Sequence, residues 1–508
     1  MIEISNQNEE LDISTQIQER PNLRNIKQPD TSNLTNDQGI AYERLREFIK
    51  SGEQMFCFEG FAGVGKSFCI NMFMEELIFE YGAKICACAP THKAKVVLKQ
   101  MAEFKSENLD YNTIHSLLGL KPIINARGEE QFVRDKTNKT KVDDYDYIFI
   151  DEASMLDDAL FSYIIDVIDE NPYIKIIFIG DHKQLPPVKH TCSAPMDEKR
   201  REKHGIKHSL LTKIVRQKGT NPIIALSKDL REYTFKPKTT LNDDGHGIIV
   251  VNKKDYTKVI EKMFTSGDYE KNPNYCRAVA WTNDCVNEFN VKIRKMIYRS
   301  KIEKDVKDLR SKNMSDADIA SKLSVKYPFY NKGVMNLPKY VVGDKLIADK
   351  PIFHSECAGT IVFQTNEEMI ITDLKVDARI GLGNYYQCYV ATVKNLYTGK
   401  VEEIEIIHEA SDVEYNQHLD KLRKLALEVN PKNNALRVSK WKTFYSLDKR
   451  FARLKYAPCL TTYKSQGSTY DNIIIIIPDI IKNPKKREMF QHLYVGVTRA
   501  SKRAFILI

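Results

Sequence analysis

Eight residues from Gly60 to Ser67 read GFAGVGKS and satisfy the spacing G-x-x-x-x-G-K-[S/T]. Glycines at 60, 63 and 65 let backbone N–H groups close on oxygen atoms, and Ala62 and Val64 add amides between them. Lys66 is placed to reach β- and γ-phosphates, and Ser67 to hold Mg²⁺. The run Met55-Phe56-Cys57-Phe58 before the loop predicts a buried strand, and Phe68 to Leu77 after it predicts a helix. A helix starting at this point aims its N-terminal dipole at a polyanion, so residues Gly60 to Phe68 form a phosphate cradle.

A phosphate loop needs acids to complete a metal site. Asp151-Glu152-Ala153-Ser154 follows the strand-like Tyr147-Ile148-Phe149-Ile150. At the carboxyl end of a strand beside the loop, Asp151 can hold Mg²⁺ through water and Glu152 can polarise an attacking water. Gln184, in GDHKQLPPV, has both a donor and an acceptor and can touch a γ-phosphate and that water; taken alone, the segment fits a proline-rich surface turn better. Gln38, in LTNDQ, follows the helix-capping candidates Thr35 and Asn36 and could pair with adenine. Arg216 in LTKIVRQ and Arg499 in YVGVTRA are candidates for arginines supplied across a cleft.

The elements that must position these groups alternate. Strands are expected at 55–58, 85–89, 147–150 and 176–179, separated by helical stretches, which is the pattern of a parallel sheet with covering helices. A second set is expected at 248–251, 277–281, 473–477 and 504–508. Between them, 301–325 is charged and helical, 341–410 is β-rich with a turn at Gly381-Leu382-Gly383-Asn384, and 411–453 is helical and basic. Residues 1–30 are polar and lack apolar spacing, as in a loosely attached tail. The chain has 508 residues and a net charge of +9, which permits a nucleic-acid partner without demanding one. Ten cysteines show no paired C-x-x-C units, so structural zinc and disulfides are not expected and a reducing cytoplasm is. No apolar stretch suits a bilayer, and no secretory signal is evident.

Ten segments in order carry a resemblance: LTNDQ, GFAGVGKS, APTHKAK, TIHSLLG, DEAS, GDHKQLPPV, LTKIVRQ, AWTNDCVNEFN, TTYKSQGST and YVGVTRA, from Leu34 to Ala500. Together they resemble superfamily 1 helicases of the RecD-like branch, superfamily 1B. The resemblance implies an α/β fold of two RecA-like P-loop parallel-sheet domains forming a nucleotide cleft. A β-hairpin pin would be inserted in the first domain and an SH3-like β-domain in the second. The implied boundaries are 31–205 for the first domain with the pin at 121–142, 206–340 and 455–508 for the second, and 341–454 for the SH3-like domain with its helical extension.

The same resemblance implies roles. Gln38 would read adenine. Lys66, Ser67, Asp151 and Glu152 would form the Mg·ATP site, with Ser67 and Asp151 on the metal. Gln184 would couple the γ-phosphate to closure, and Arg216 and Arg499 would be arginine fingers. Gln466 and Gly467 would lie near the nucleotide. Thr91, His92, Lys93, Thr113 and His115 would line single-stranded DNA from the first domain, and Thr462, Lys464 and Ser465 from the second. Hydroxyls and lysines of this kind grip phosphates without reading sequence.

The polar insertion between Leu120 and Lys141 suits a hairpin around Asn125-Ala126-Arg127-Gly128, with Phe132 positioned to stack at a duplex fork or to anchor a surface excursion. Trp441, Phe444, Tyr445 and Phe451 resemble the segment that braces the β-domain against the pin, and would also serve as aromatic core. Phe61 and Val64 stand where the family usually has Pro and Thr, and Tyr463 stands where it has His. The expected partners are single-stranded and forked duplex DNA, together with a single-strand-binding protein or replisome component. No membrane partner is expected, and a monomer is. Two rivals stand beside an unwinding enzyme: a DNA-stimulated translocase ATPase that displaces proteins with little unwinding, and a P-loop nucleotide switch.

Overall fold

The computed structural model describes residues 31–101, 104–134, 140–188, 190–213, 221–331, 333–354 and 359–508. The expected tail at 1–30 and Arg216 lie outside the described residues.

The first lobe is built on six parallel strands in the order Leu109–Thr113, Ile85–Ala89, Tyr147–Ile150, Lys175–Gly180, Met55–Gly60 and Lys207–Leu211. Its central strands are apolar without alternation because both faces are covered. Met55, Cys57, Ile148, Ile150, Ile176 and Phe178 pack on one side beneath the helix Asp158–Glu170. Phe56, Phe58, Phe149, Ile177 and Ile179 pack on the other against the helices Asn36–Lys50 and Lys66–Tyr81. A capping box at Thr35 and Gln38 starts the first of these helices.

The second lobe repeats the plan. Its strands run Cys459–Thr461, Cys276–Ala280, Tyr470–Ile476, Ala500–Leu507 and Gly247–Val251 in parallel, with Thr240–Leu241 antiparallel at the edge. Helices Pro222–Arg231 and Lys486–Thr498 cover one face, and Tyr256–Phe264 and Asn283–Ser311 the other. The expected strands at 248–251, 277–281, 473–477 and 504–508 correspond to the central members of this sheet. The charged 301–325 stretch is the end of the 29-residue helix Asn283–Ser311 followed by the helix Asp316–Lys326.

Between Ala280 and Cys459 the chain builds a separate antiparallel sheet of five strands: Val401–Ile407, Asn384–Asn395, Glu368–Gly381, Lys345–Ala348 and Leu454–Tyr456. The turn at Leu382 and Gly383, with φ of 48° and 83°, closes its long hairpin, as a two-residue turn with both central φ positive does. Arg277 of the second lobe and Glu368 of this sheet form a fully buried ion pair. Arg294 and Asp344 form another at 2.8 Å. Loss of one member of such a pair strands a charge, at a cost of about 3–5 kcal/mol.

Leu120–Ile124 and Glu130–Arg134 form an antiparallel hairpin projecting from the first lobe. The helix Asn434–Asp448 packs on its turn: Tyr445 donates to the Gly128 carbonyl at 2.7 Å, and Lys449 pairs with Glu130 at 2.7 Å.

Candidate nucleotide site and strand-facing groups

The carboxyl ends of the first lobe's central strands deliver the chemistry to one edge. Gly60 ends one strand, Asp151 follows Ile150, and Asp181 follows Gly180. Gly63 and Gly65 take φ of 84° and 83°, a left-handed backbone that favours glycine. Lys66 then opens the helix.

A cavity of about 410 Å³ lies where the two lobes meet. Of the expected residues, Gln38, Ala62, Gly63, Gly65, Lys66, Ser67, Phe68, Asp151, Glu152 and Gln184 line it from the first lobe, and Gly467 and Arg499 from the second. Gly60 and Val64 do not line it. Val64 is fully buried, and the carbonyls of both residues act as internal acceptors, from Gln38 Nε2 at 3.0 Å for Val64 and from Lys66 Nζ at 2.5 Å for Gly60. Lys66 Nζ also donates to the Phe61 carbonyl at 3.0 Å. The Gln38 amide accepts from the Thr35 N–H at 3.0 Å while it holds Val64. These bonds use one of its two N–H donors and one of its two carbonyl lone pairs, and the other donor and lone pair remain for adenine.

Asp151 and Glu152 line the cavity side by side. Burial raises both carboxyls, and Glu152 reaches about 7 because Asp151 stands beside it, with Arg499 and Lys66 opposing the rise. Glu152 takes a left-handed φ of 50°, held by its N–H donating to Asp151 Oδ1 at 2.8 Å. Such a strained residue, with a raised carboxyl in a cleft, marks a candidate functional position. Asp151 and Ser67 face the same cavity with oxygen donors of the kind a hard divalent cation prefers, so this chain's residues fit Mg²⁺.

Gln184 is buried, and its side-chain Oε1 has no hydrogen-bond partner; the same holds for Gln466 Oε1. A buried acceptor left open at a cleft is costly unless a ligand or water completes it. The backbone of the Gln184 segment is tied across the seam by two side-chain amides: Gln491 Nε2 donates to the Gln184 carbonyl at 2.9 Å, and Gln466 Nε2 to the Leu185 carbonyl at 3.2 Å. Arg499 lies in the seam, its guanidinium 3.3 Å from the Ser468 carbonyl. Tyr494 accepts from the Ala62 N–H at 3.0 Å and donates to the fully buried Asp181 at 2.5 Å. The sequence reading missed Tyr494, Asp181, Gln491, Thr469 and Thr498 as seam residues. All but Gln491 lie inside quoted motifs, so the available signal was neighbourhood.

The strand-facing groups are less uniform. Thr91 and Thr113 cap helices, accepting from Ala94 N–H at 3.2 Å and Ser116 N–H at 3.3 Å. His92 begins the helix His92–Met101, its pKa lowered to about 4 by burial and by Lys95 and His115. Lys93 lies in that first turn; its side chain is outside the described residues. His115 packs against Phe132 of the hairpin with ring centroids 4.4 Å apart and the planes tilted by 56°, and Phe132 stays 44% exposed. Lys464 is paired with Asp349 at 2.7 Å. Thr462 and Ser465 correct the expectation: both are 0% exposed. Thr462 is bonded to His492, and Ser465 donates to the Thr462 carbonyl, so neither side chain is presented to a strand.

A phosphate loop and two acids on one parallel sheet, faced by an arginine from a second parallel sheet, define a two-lobed P-loop nucleotide-binding protein. Residues 33–252 match the model of the AAA domain family, and residues 456–507 that of the UvrD-like helicase C-terminal domain. The chain is 26% identical over 495 residues to the ATP-dependent DNA helicase dda of Enterobacteria phage T4, covering 92% of this chain and 97% of that protein. It is 26% identical over 515 residues to the uncharacterized protein R530 of Acanthamoeba polyphaga mimivirus, at 93% and 99% coverage. The RecBCD enzyme subunit RecD of Buchnera aphidicola is 25% identical, with 87% of this chain and 68% of that one covered. The solved Pif1 helicase of Candida albicans is 15% identical, covers 93% of this chain and 94% of its own, and has a TM-score of 0.45. The relatives bear out the resemblance to the RecD-like branch of superfamily 1. Among the described residues, no helix is long and apolar enough to cross a membrane.

Proposed function

We propose that this protein is an ATP-dependent DNA helicase that translocates 5′ to 3′ on single-stranded DNA and unwinds forked duplexes in replication, recombination or repair. The observation that carries this reading is the cavity itself: Lys66, Asp151, Glu152 and Gln184 of one lobe face Gly467 and Arg499 of the other. ATP is the substrate that fits a loop, two acids and a cross-cleft arginine.

Ser67 and Asp151 would hold Mg²⁺, which would supply neutralisation of phosphate charge. Lys66 leaves the loop carbonyls for the β- and γ-phosphates. Glu152 takes a proton from the attacking water. Gln184 orients that water with its open acceptor. Arg499 stabilises the charge on the transferring phosphoryl group from the second lobe, the role the sequence also offers for Arg216.

Closure on the γ-phosphate and release after hydrolysis make a two-state element. Thr91 and the Thr462 segment sit on opposite lobes, so that motion changes the grip along a strand. Base stacking opposes opening by about 1.4 kcal/mol per step; Phe132, braced by the helix Asn434–Asp448, stands at the fork. The test is ATP-dependent unwinding of forked duplexes bearing a 5′ or a 3′ single-stranded overhang. Unwinding of the 5′-tailed fork alone is expected; unwinding of neither, with ATPase unaffected by single-stranded DNA, would favour the nucleotide switch.

A further inference from the structure

Phe61 stands at the second position of the phosphate loop, where the resembling family usually has Pro, and the chemistry of the loop does not use it. Its ring lines the cavity and is enclosed from two sides. The Arg231 guanidinium of the second lobe lies 3.8 Å from its centroid. The His182 ring of the first lobe stands 5.7 Å away, and the His182 imidazole is fixed by the buried Glu59. The next residue, Ala62, gives its N–H to Tyr494 of the second lobe at 3.0 Å, and that hydroxyl is fixed by Asp181. Nearby, Lys183 of the first lobe lies 5.7 Å from the Tyr233 ring of the second. Two consecutive loop residues are thus attached to the second lobe, one through its ring and one through its backbone.

We propose that Arg231 and Tyr494 are positioning residues that carry lobe movement directly into the phosphate loop, with Phe61 as the aromatic handle they grip. This inference rests on the ATPase reading of the same site. A guanidinium over an aromatic face is held by the ring quadrupole and keeps its preference for the face as the two surfaces slide. A proline at this position would offer no such face. When the lobes separate, Arg231 and Tyr494 withdraw together and the front of the loop loses both supports. When they approach, the loop is set before the phosphates are gripped. Nucleotide affinity therefore reports lobe position through Phe61, in addition to the arginine fingers.

The experiment is a double-mutant cycle on Phe61→Leu and Arg231→Gln, read first as the affinity for a fluorescent ATP analogue without DNA. Steady-state kcat and KM with single-stranded DNA are the second reading. Each single variant is expected to weaken nucleotide affinity about 3- to 30-fold, the range from a partly exposed to a desolvated cation–π contact. The double variant is expected to be no weaker than the worse single one, because both remove one contact. Phe61→Tyr, which keeps the face, is expected to restore the wild-type value, and Tyr494→Phe to weaken affinity by a separate factor. Multiplying losses in the double variant, no loss in either single variant, or failure of Phe61→Tyr to restore affinity would each overturn the proposal. The affinity arm needs no nucleic acid. Non-additive losses in a protein whose ATPase ignores DNA would thus sustain this coupling while sinking the helicase reading.

Discussion

The nucleotide seam and the surface proposed to face a DNA strand are built from the same two lobes, yet they are organised differently. At the seam, side chains converge: Lys66, Asp151, Glu152, Gln184 and Arg499 border one cavity, and the Gln184 acceptor is left open toward a ligand. On the strand-facing side, the expected groups are largely engaged within the protein. Thr91 and Thr113 cap helices, Lys464 is paired with Asp349, and Thr462 and Ser465 are fully buried. A triphosphate is small and highly charged, so it dictates a fixed convergence of donors. A polynucleotide gripped and released repeatedly needs backbone groups and helix termini set by stiff caps, with side chains acting behind them.

Substitutions that separate the two regions rank by size. Lys66→Ala should lower ATP hydrolysis by about 100-fold or more, since it removes the cation on the transferring phosphate. Arg499→Ala should cost at least about 100-fold in kcat with a smaller change in nucleotide affinity, as expected of a group acting on the transition state. On the other region, Phe132→Ala should reduce strand displacement about 10-fold or more while DNA-stimulated hydrolysis falls far less; equal losses would place Phe132 in strand binding and not at the fork. Gly128→Ala tests the brace. A Cβ there would meet the Trp441 ring at 2.3 Å, and φ is +79°, so the hairpin and its helix must part. Unwinding should fall several-fold in stopped-flow displacement assays while the affinity for ATP is kept.

The smallest expected effect concerns the buried support of the strand-facing turn. Burial lowers the His492 pKa to about 4, against about 6.5 for an unfolded histidine. Between these values the unfolded chain binds more protons, so this contribution is present above about pH 6.5 and lost as pH falls toward 4. Urea unfolding of the wild type should show a midpoint that drops from pH 7 to pH 5. His492→Gln should be less stable at pH 7 and show a flatter pH dependence.

Legibility in the sequence followed burial. The central strands of both sheets are apolar on two faces and stood out as runs such as Ile473 to Ile477. The strands that escaped notice, Leu109–Thr113, Lys207–Leu211, Cys459–Thr461 and Thr240–Leu241, are the four edges of the two sheets. They are short or carry polar residues such as Asp110, Asn112 and His208, because one side lacks a neighbouring strand. The seam was legible where a motif fixes spacing around one ligand, as from Gly60 to Ser67. Tyr494 and Asp181 were not, because their partnership joins residues far apart in sequence and only packing brings a hydroxyl to the Ala62 amide. The strand-facing set was legible as a set of turns. Which side chains point outward was not, since Thr461 and Thr462 differ only in register: Thr461 caps the turn and Thr462 is buried beneath it.

ATP hydrolysis by wild-type and Arg499→Ala proteins, each with and without single-stranded DNA, tests most directly that the nucleotide is worked between the lobes. The account predicts that DNA accelerates the wild type about 10-fold or more, and that Arg499→Ala hydrolyses at a small fraction of that rate under either condition. An Arg499→Ala protein that turns over ATP like the wild type, or a wild type indifferent to DNA, would contradict it.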